Sequence, residues 1–470
     1  MNTIMLLSFT IYFIILSAIG FVFYKRTQTA QDFIIGDRSV NYFVTAIATQ
    51  ASDMGAWLFL GLPAAVFLNG FSEIWAAIGL IFFMFLSWQY IAPKLRRESE
   101  QYNSNTYISY FGSKYKDNTG IIRLIGSCIL LFFFTMYISA GLVGLGRLFE
   151  AAFDITYFSG VILAITTALV YTLIGGFLAV AWCDLFQGFF LLAMIVMVPL
   201  VAYFHLGGWN TLSILAHTVN INYASFFSLS SIGLALGWGL GYFGQPHILT
   251  NFMGIDDPKK IRYAKYVGIT WQIIVLSSSV LIGIIGAYYF AGSNIASELI
   301  FVQMAKDLFP PLIAGFAVCG IFAATLSSMD SLILISGSTF AEDLYKTMYN
   351  KNASSKQILW MSRAASIVVS LSAVYLARNN SESIYDLVNY AWAGLGSAFG
   401  PLILTTFYWG KTTKQGALAG MVVGALVSGL WHYTNTSVLP LIPGFAASLA
   451  AIVIVSLMTQ EKKAVQPKTS

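Results

Sequence analysis

Apolar runs of about twenty residues recur along this chain from one end to the other, and that periodicity constrains its fold more than any other feature. A run of that length spans the hydrocarbon core of a bilayer as a helix. A backbone surrounded by lipid must satisfy its own hydrogen bonds, which leaves helices as the solution for such segments. The runs predict thirteen helices, at about 3–24, 40–70, 72–92, 121–148, 156–180, 183–206, 228–253, 264–291, 312–341, 358–378, 386–409, 415–433 and 438–459. A short surface helix is expected over 297–310. The chain is 57% hydrophobic and 10% charged, against roughly 25% charged residues in an ordinary soluble domain. The fold class is therefore all-α and polytopic.

The charges carry topology. Thirteen crossings put the termini on opposite sides. Lys25-Arg26 directly follow the first run, which places the N-terminus outside and the C-terminus inside. With that orientation, the inner loops and their flanks hold all but Arg147, Lys306 and Arg378 of the 25 Lys and Arg residues. The net charge of +5 thus reflects membrane orientation and not nucleic-acid binding. The first run lacks a basic n-region and a small-residue cleavage site, so it reads as a retained helix. The longest loop, 93–120, leaves no room for a hydrolase or kinase module. No nucleophile–base pair, metal cluster or phosphate loop points to an enzyme, and no obligatory protein partner is called for. Cys128, Cys183 and Cys319 lie in or beside apolar runs, at spacings that fit neither a metal motif nor a disulfide framework.

Four stretches combine small residues, polar groups and helix breakers at bilayer depth: Ala51 to Pro63, Gly237 to His247, Ala323 to Ser331 and Tyr390 to Pro401. The first contains Asp53. A carboxylate in hydrocarbon is costly, and a chain keeps one where it faces a cavity, a cation or broken backbone. The second holds four glycines and a proline within ten residues, which breaks a helix. These first two breaks lie in the second and seventh runs, five apart. Paired interruptions at corresponding places point to an inverted repeat with its site at the interface. An unwound backbone at Ala51 to Met54 frees carbonyls, and the Ser327 and Ser328 hydroxyls can face them. Oxygen sets of this kind suit a hard cation such as Na⁺. Close packing is the competing role for the serines and glycines, and an ordinary interfacial charge is the competing role for Asp184.

Together these stretches resemble the sodium/solute symporter family, and within it the members that carry proline. The matching segments are Ala51-Ser-Asp-Met54, Gly61-Leu-Pro63, Gly175 to Val180 with Trp182 and Asp184, Gly237 to Leu249, Glu342 to Lys346, Tyr390 to Gly394 and Gly416 to Gly420. The resemblance covers residues 20 to 455. It implies a LeuT-type core of two inverted five-helix repeats, at 40–206 and 228–409. Helix 1 and the helices of 415–459 would be peripheral, and 460–470 a cytoplasmic tail. It further implies a multi-pass protein of a bacterial inner membrane that uses Na⁺ as coupling ion and imports L-proline by alternating access. The implied sodium ligands are the carbonyls of Ala51, Met54 and Ala324 and the hydroxyls of Ser327 and Ser328. Asp53 and Asp184 would support sodium coupling. Trp57, Tyr137, Trp238, Tyr242 and Pro246 would contact the solute. Three positions depart from the proline-type pattern. Gly55 and Ala56 replace a Ser-Gly pair, Ser328 replaces a threonine, and Asp330 stands where a neutral residue is usual. Another amino acid or a small carboxylate as solute, and a transporter-like solute sensor, are the alternative readings.

Overall fold

In the computed structural model, residues 3–24, 29–208, 228–378, 383–434 and 436–460 are described. The Lys25-Arg26 pair and the tail beyond residue 460 lie outside them. The described chain is helical. Its only β contact is an isolated parallel bridge between Val40 and Ile255. By length and hydropathy, eight of the described helices can cross a bilayer. Two shorter apolar ones, Leu7–Val22 and Leu229–Phe243, accompany them. The chain is thus a multi-pass membrane protein.

α1 is Thr3–Tyr24 and α2 the short Ala30–Ile35, which begins at a Thr29–Asp32 capping box. α3, Tyr42–Ala51, starts where the Asn41 side chain accepts from the Phe43 and Val44 amides, 3.0 Å each. After a break, a π-turn over Trp57–Gly61 leads into α4, Leu62–Asn69. α5, Ile74–Leu86, continues through a second π-turn, Ser87–Ile91, into α6, Ala92–Gln101. α7 is Tyr107–Lys114, α8 Ile121–Phe153 and α9 Tyr157–His205. α10, Leu229–Gly239, passes through a 3₁₀ turn, Leu240–Phe243, and a break at Gly244 to α11, Pro246–Met253. α12 is Ile261–Tyr289, α13 Ile300–Leu308 and α14 Pro311–Thr339, which runs on as a π-helix, Phe340–Tyr349. α15 is Ser355–Leu376, α16 Ile384–Tyr408, α17 Lys414–Trp431 and α18 Leu441–Thr459.

Three expectations are corrected. The runs at 156–180 and 183–206 were expected to part at residues 181–182. They part instead at Gly176 (φ 62°, ψ −160°), where two helices meet across a kink within Tyr157–His205. That conformation is nearly restricted to glycine, and a Cβ there would also lie 2.7 Å from the Phe33 ring. The stretch Tyr390 to Pro401 does not break: α16 is continuous through Pro401. Its small residues serve close approach, since a Cβ at Gly396 would lie 2.9 Å from the Gly241 Cα. Finally, the loop 93–120 is largely built into α6 and α7 and buries Arg96, Ser99 and Tyr110.

α14 is the central element, packed on α1, α8 and α9, and buried along nearly its whole length. α3 packs against α9 and α12, and α16 against α8 and the 3₁₀ turn that precedes Gly244. Both broken helices therefore cross the middle of the bundle.

At one end an arginine ties these parts together. Arg38 donates from Nη1 to the Ser99 hydroxyl (3.1 Å) and the Met253 carbonyl (2.9 Å). Its Nη2 donates to the carbonyls of Ser99 (3.1 Å) and Ser104 (2.8 Å). Burial, with Arg96 nearby, brings its pKa down to about 10, so it keeps its charge at neutral pH. The Val40–Ile255 bridge lies beside this clamp and is closed by Asp256 N–H donating to Val40 O at 2.8 Å.

Candidate functional site

The site grows from the interruption after α3. Helical bonding ends at Ala51, and Met54 and Gly55 have no helical conformation. The Met54 amide donates to the carbonyls of Gln50 and Ala51, 3.2 Å each, and the Gly55 amide to Asp53 O at 3.1 Å. A compact turn thus replaces the helix, and its carbonyls are available to side chains. The Trp57 indole N–H donates to Asp53 O at 3.0 Å and fixes the restart of the helix.

α14 meets this turn. The Ser327 hydroxyl lies 2.8 Å from Ala51 O and 2.9 Å from Ala324 O. The Ser328 hydroxyl lies 3.4 Å from Ala324 O. Four of the five expected sodium-ligating groups are therefore joined directly. Met54, the fifth, is tied to Ala51 through its amide. All five residues are buried. The donor set consists of oxygens alone, which fits a hard monovalent cation. Gly55 lies against the same spot: a Cβ there would meet the Ser328 hydroxyl at 3.1 Å. Ala56 packs against α8 at Gly144, where a Cβ would come within 2.7 Å of its methyl.

Asp53 points from the same turn to the second broken helix. Its Oδ2 accepts a short hydrogen bond from the Tyr242 hydroxyl. That hydroxyl accepts in turn from Gln272 Nε2 at 2.9 Å. Gln50 Nε2 approaches Gln272 Oε1 at 3.5 Å, and Asn251 Nδ2 donates to the Ser52 hydroxyl at 3.2 Å. Asp53 Oδ1 has no hydrogen-bond partner. Polar side chains from α3, α11 and α12 thus converge on one turn of unwound backbone.

An aromatic cluster adjoins it. Trp57 and Trp238 are stacked, with centroids 6.0 Å apart and planes at 21°. Trp238 meets Tyr385 at 4.8 Å, and Tyr242 meets Trp392 edge-on at 5.1 Å. The Trp392 indole N–H donates to Trp238 O at 2.8 Å, and Gln245 Nε2 donates to Trp392 O at 3.0 Å. Tyr385 donates to Glu73 Oε2 at 3.3 Å, which links the cluster to the loop after α4. Trp57, Trp238, Tyr242 and Trp392 are each 3% exposed or less, so the site is shut from solvent in this conformation.

Three expected residues, Pro246, Asp184 and Asp330, stand apart from this centre. Pro246 opens α11, and its carbonyl accepts from the Thr250 hydroxyl. Asp184 on α9 accepts from the Ser331 hydroxyl at 3.5 Å. Asp330 accepts from the Tyr171 hydroxyl at 2.5 Å, so its side chain faces α9 and not the aromatic cluster. Tyr137 on α8 packs beside the His247 ring, with centroids 6.0 Å apart.

Sequence reading missed Gln50, Gln272, Asn251, Tyr385 and Trp392. The two glutamines had a signal, as uncharged polar groups inside apolar runs. The aromatics had none, because a chain with 16% aromatics offers many equivalent candidates.

A membrane bundle with two broken helices, an oxygen-only turn facing a serine pair and a buried aromatic cluster defines a secondary transporter. Residues 33–424 match the Sodium:solute symporter family, and the chain belongs to that family, whose coupling ion is Na⁺. It is 38% identical to the Sodium/proline symporter of Escherichia coli, over 99% of this chain and 95% of that one. It is 40% identical to the High-affinity proline transporter PutP of Bacillus subtilis, over 94% and 95%. Among solved structures, a Na⁺-coupled sialic acid symporter in a substrate-bound outward-open state superposes with a TM-score of 0.85, at 17% identity and over 97% and 98% of the two chains. The structure of MhsT with L-phenylalanine superposes at 0.56, at 13% identity and over 89% and 98%. These likenesses identify the fold as LeuT-type.

Proposed function

We propose that this protein imports L-proline by Na⁺-coupled symport across the inner membrane of a bacterium, with thirteen crossings, the N-terminus outside and the C-terminus inside. The observation that carries the reading is whole-length similarity at 38% and 40% identity to transporters named for proline. Residues 40–206 and 228–409 form the two inverted repeats, with the site between them.

Na⁺ is held by the carbonyls of Ala51, Met54 and Ala324 and the hydroxyls of Ser327 and Ser328. Bound there, it bridges the α3 break to α14 and stabilises one arrangement of the two. Asp53 transmits that state through Tyr242 to the second broken helix, and Asp184 supports coupling from α9. The solute ring lies against Trp57, Trp238 and Tyr242, with Tyr137 and Pro246 completing the pocket. Tyr385 and Trp392 hold that cluster in place. Rocking of the core then exposes both ligands to the other side. One Na⁺ moving down ~100 mV supplies about 2.3 kcal/mol. That alone sustains a solute gradient of roughly fifty-fold.

Gly55, Ala56 and Asp330 motivate the alternative of another solute; Asp330 accepts from Tyr171 on α9 through one oxygen, while its other oxygen has no hydrogen-bond partner. Accumulation of radiolabelled proline in proteoliposomes tests the reading. An inward Na⁺ gradient should drive proline above its outside concentration, and excess unlabelled proline should suppress the label. Equal uptake with and without Na⁺, or uptake untouched by other amino acids and by proline itself, contradicts it.

A further inference from the structure

The glycine-rich break carries a residue that neither the sodium turn nor the aromatic cluster uses. His247 is the second residue of α11, immediately after Pro246. It is fully buried, and neither ring nitrogen has a hydrogen-bond partner. A buried histidine in a structural role normally satisfies at least one nitrogen on a neighbouring carbonyl or carboxylate. The surroundings of this one are also unsatisfied. Its ring stands edge-on to Phe134 (5.9 Å) and Tyr137 (6.0 Å) on α8. The Tyr137 hydroxyl lacks a partner, as does Gln245 Oε1, whose amide nitrogen is spent on Trp392 O. Four buried polar atoms without partners therefore cluster at the start of α11. Gln245 makes no side-chain cap there, so the first-turn amides of α11 have no capping side chain.

The α8 surface that carries Tyr137 also connects this cluster to the site. Tyr137, Gly141 and Gly144 recur at spacings of four and three, so they share one helix face. Gly144 packs on Ala56 beside the α3 break, and Gly141 packs on Met329 and Thr325 of α14. The unsatisfied cluster is thus the wall of the solute region, one helix face away from the sodium turn.

We infer that His247 is a specificity-determining solute contact, its ring N–H donating to the carboxylate of an α-amino or imino acid bound at the start of α11, with the Tyr137 hydroxyl as second donor. This rests on the proposed function and deepens it by assigning the carboxylate end of the solute. A neutral imidazole suits the task. It supplies a donor without adding a fixed charge at bilayer depth, and its other nitrogen accepts from the solute amine.

The test compares His247→Phe with His247→Gln in reconstituted protein. Three readouts are needed: proline KM and kcat, competition by pyrrolidine (the same ring without the carboxylate), and the Na⁺ dependence of Trp fluorescence without solute. A hydrogen bond to a charged group is worth about ten-fold or more in affinity. His247→Phe should therefore raise the proline KM by about ten-fold with kcat little changed. Its weak competition by pyrrolidine should stay as it was, so that discrimination between the two ligands falls. Sodium half-saturation should hold within about two-fold. Glutamine, which keeps a donor, should restore most of the proline affinity. An unchanged proline KM in His247→Phe, equal losses for proline and pyrrolidine, or a parallel loss of sodium affinity each overturns the inference. If the wild-type protein carries a different amino acid, the proline reading fails by itself. The same comparison with that amino acid and its decarboxylated analogue then still decides the role of His247. If no amino acid is carried, both fall.

Discussion

The Ser327 hydroxyl of α14 lies 2.8 Å from the carbonyl of Ala51, the last helical residue before the break in the first broken helix. These two residues are 276 positions apart in the chain, and their meeting joins α3 to α14. Removing both hydroxyls in Ser327→Ala with Ser328→Ala deletes two of five proposed sodium oxygens. The variant should fold and insert, because alanine fits both positions. Its sodium requirement for half-maximal uptake should rise by about ten-fold or more. Uptake measured against Na⁺ concentration checks this.

Asp53→Asn keeps the shape of the side chain and removes its charge. The Tyr242 hydroxyl keeps an acceptor, so the fold survives, while coupling between the sodium turn and the second broken helix weakens. Sodium-stimulated uptake should drop to near background, with protein levels in the membrane unchanged. Wild-type sodium affinity in this variant contradicts the role given to the carboxylate.

Tyr242→Phe probes the same link from the other side. The hydroxyl both donates to Asp53 and accepts from Gln272, so its loss leaves two buried polar groups short of a partner. A cost of about 1–3 kcal/mol follows. It should appear as a lowered melting temperature in detergent and a weaker response of uptake to Na⁺.

Arg38 is tied by four hydrogen bonds to the Ser99 hydroxyl and to the carbonyls of Met253, Ser99 and Ser104. A lysine cannot reproduce the forked geometry. Arg38→Lys and Arg38→Ala should both lower thermal stability, alanine more. Both should increase protease cleavage near Ser104, because the segment between α6 and α7 loses its anchor. Unchanged cleavage in Arg38→Ala would show that the Val40–Ile255 bridge alone holds this end closed.

Most of the architecture was legible because apolar length is a strong signal in a membrane chain. The break after Ala51 and the one at Gly244 were legible for the same reason, since glycine, proline and a carboxylate are expensive inside an apolar run. The continuity of α16 was not. Gly394, Gly396, Gly400 and Pro401 are the same residue types that break α10 from α11, but here they are used for close packing, and only the neighbouring helices decide between the two uses. The bend at Gly176 was displaced for a related reason. Its φ of 62° comes with a close approach of Phe33, a contact 143 positions away that no local pattern reports. In the site, the serine pair and Asp53 were readable as costly or oxygen-bearing residues. The roles of Gln272, Tyr385 and Trp392 depend on which helices meet, and so does the orientation of Asp330 away from the aromatic cluster.

Sodium at the Ala51–Ser327 junction is proposed to prepare the solute site. Proline binding measured at increasing Na⁺, in the wild-type protein and in Ser327→Ala with Ser328→Ala, tests it most directly. Na⁺ should tighten proline binding strongly in the wild type. In the double variant that tightening should need about ten-fold more Na⁺ or vanish. Proline affinity that follows Na⁺ identically in both proteins would contradict it.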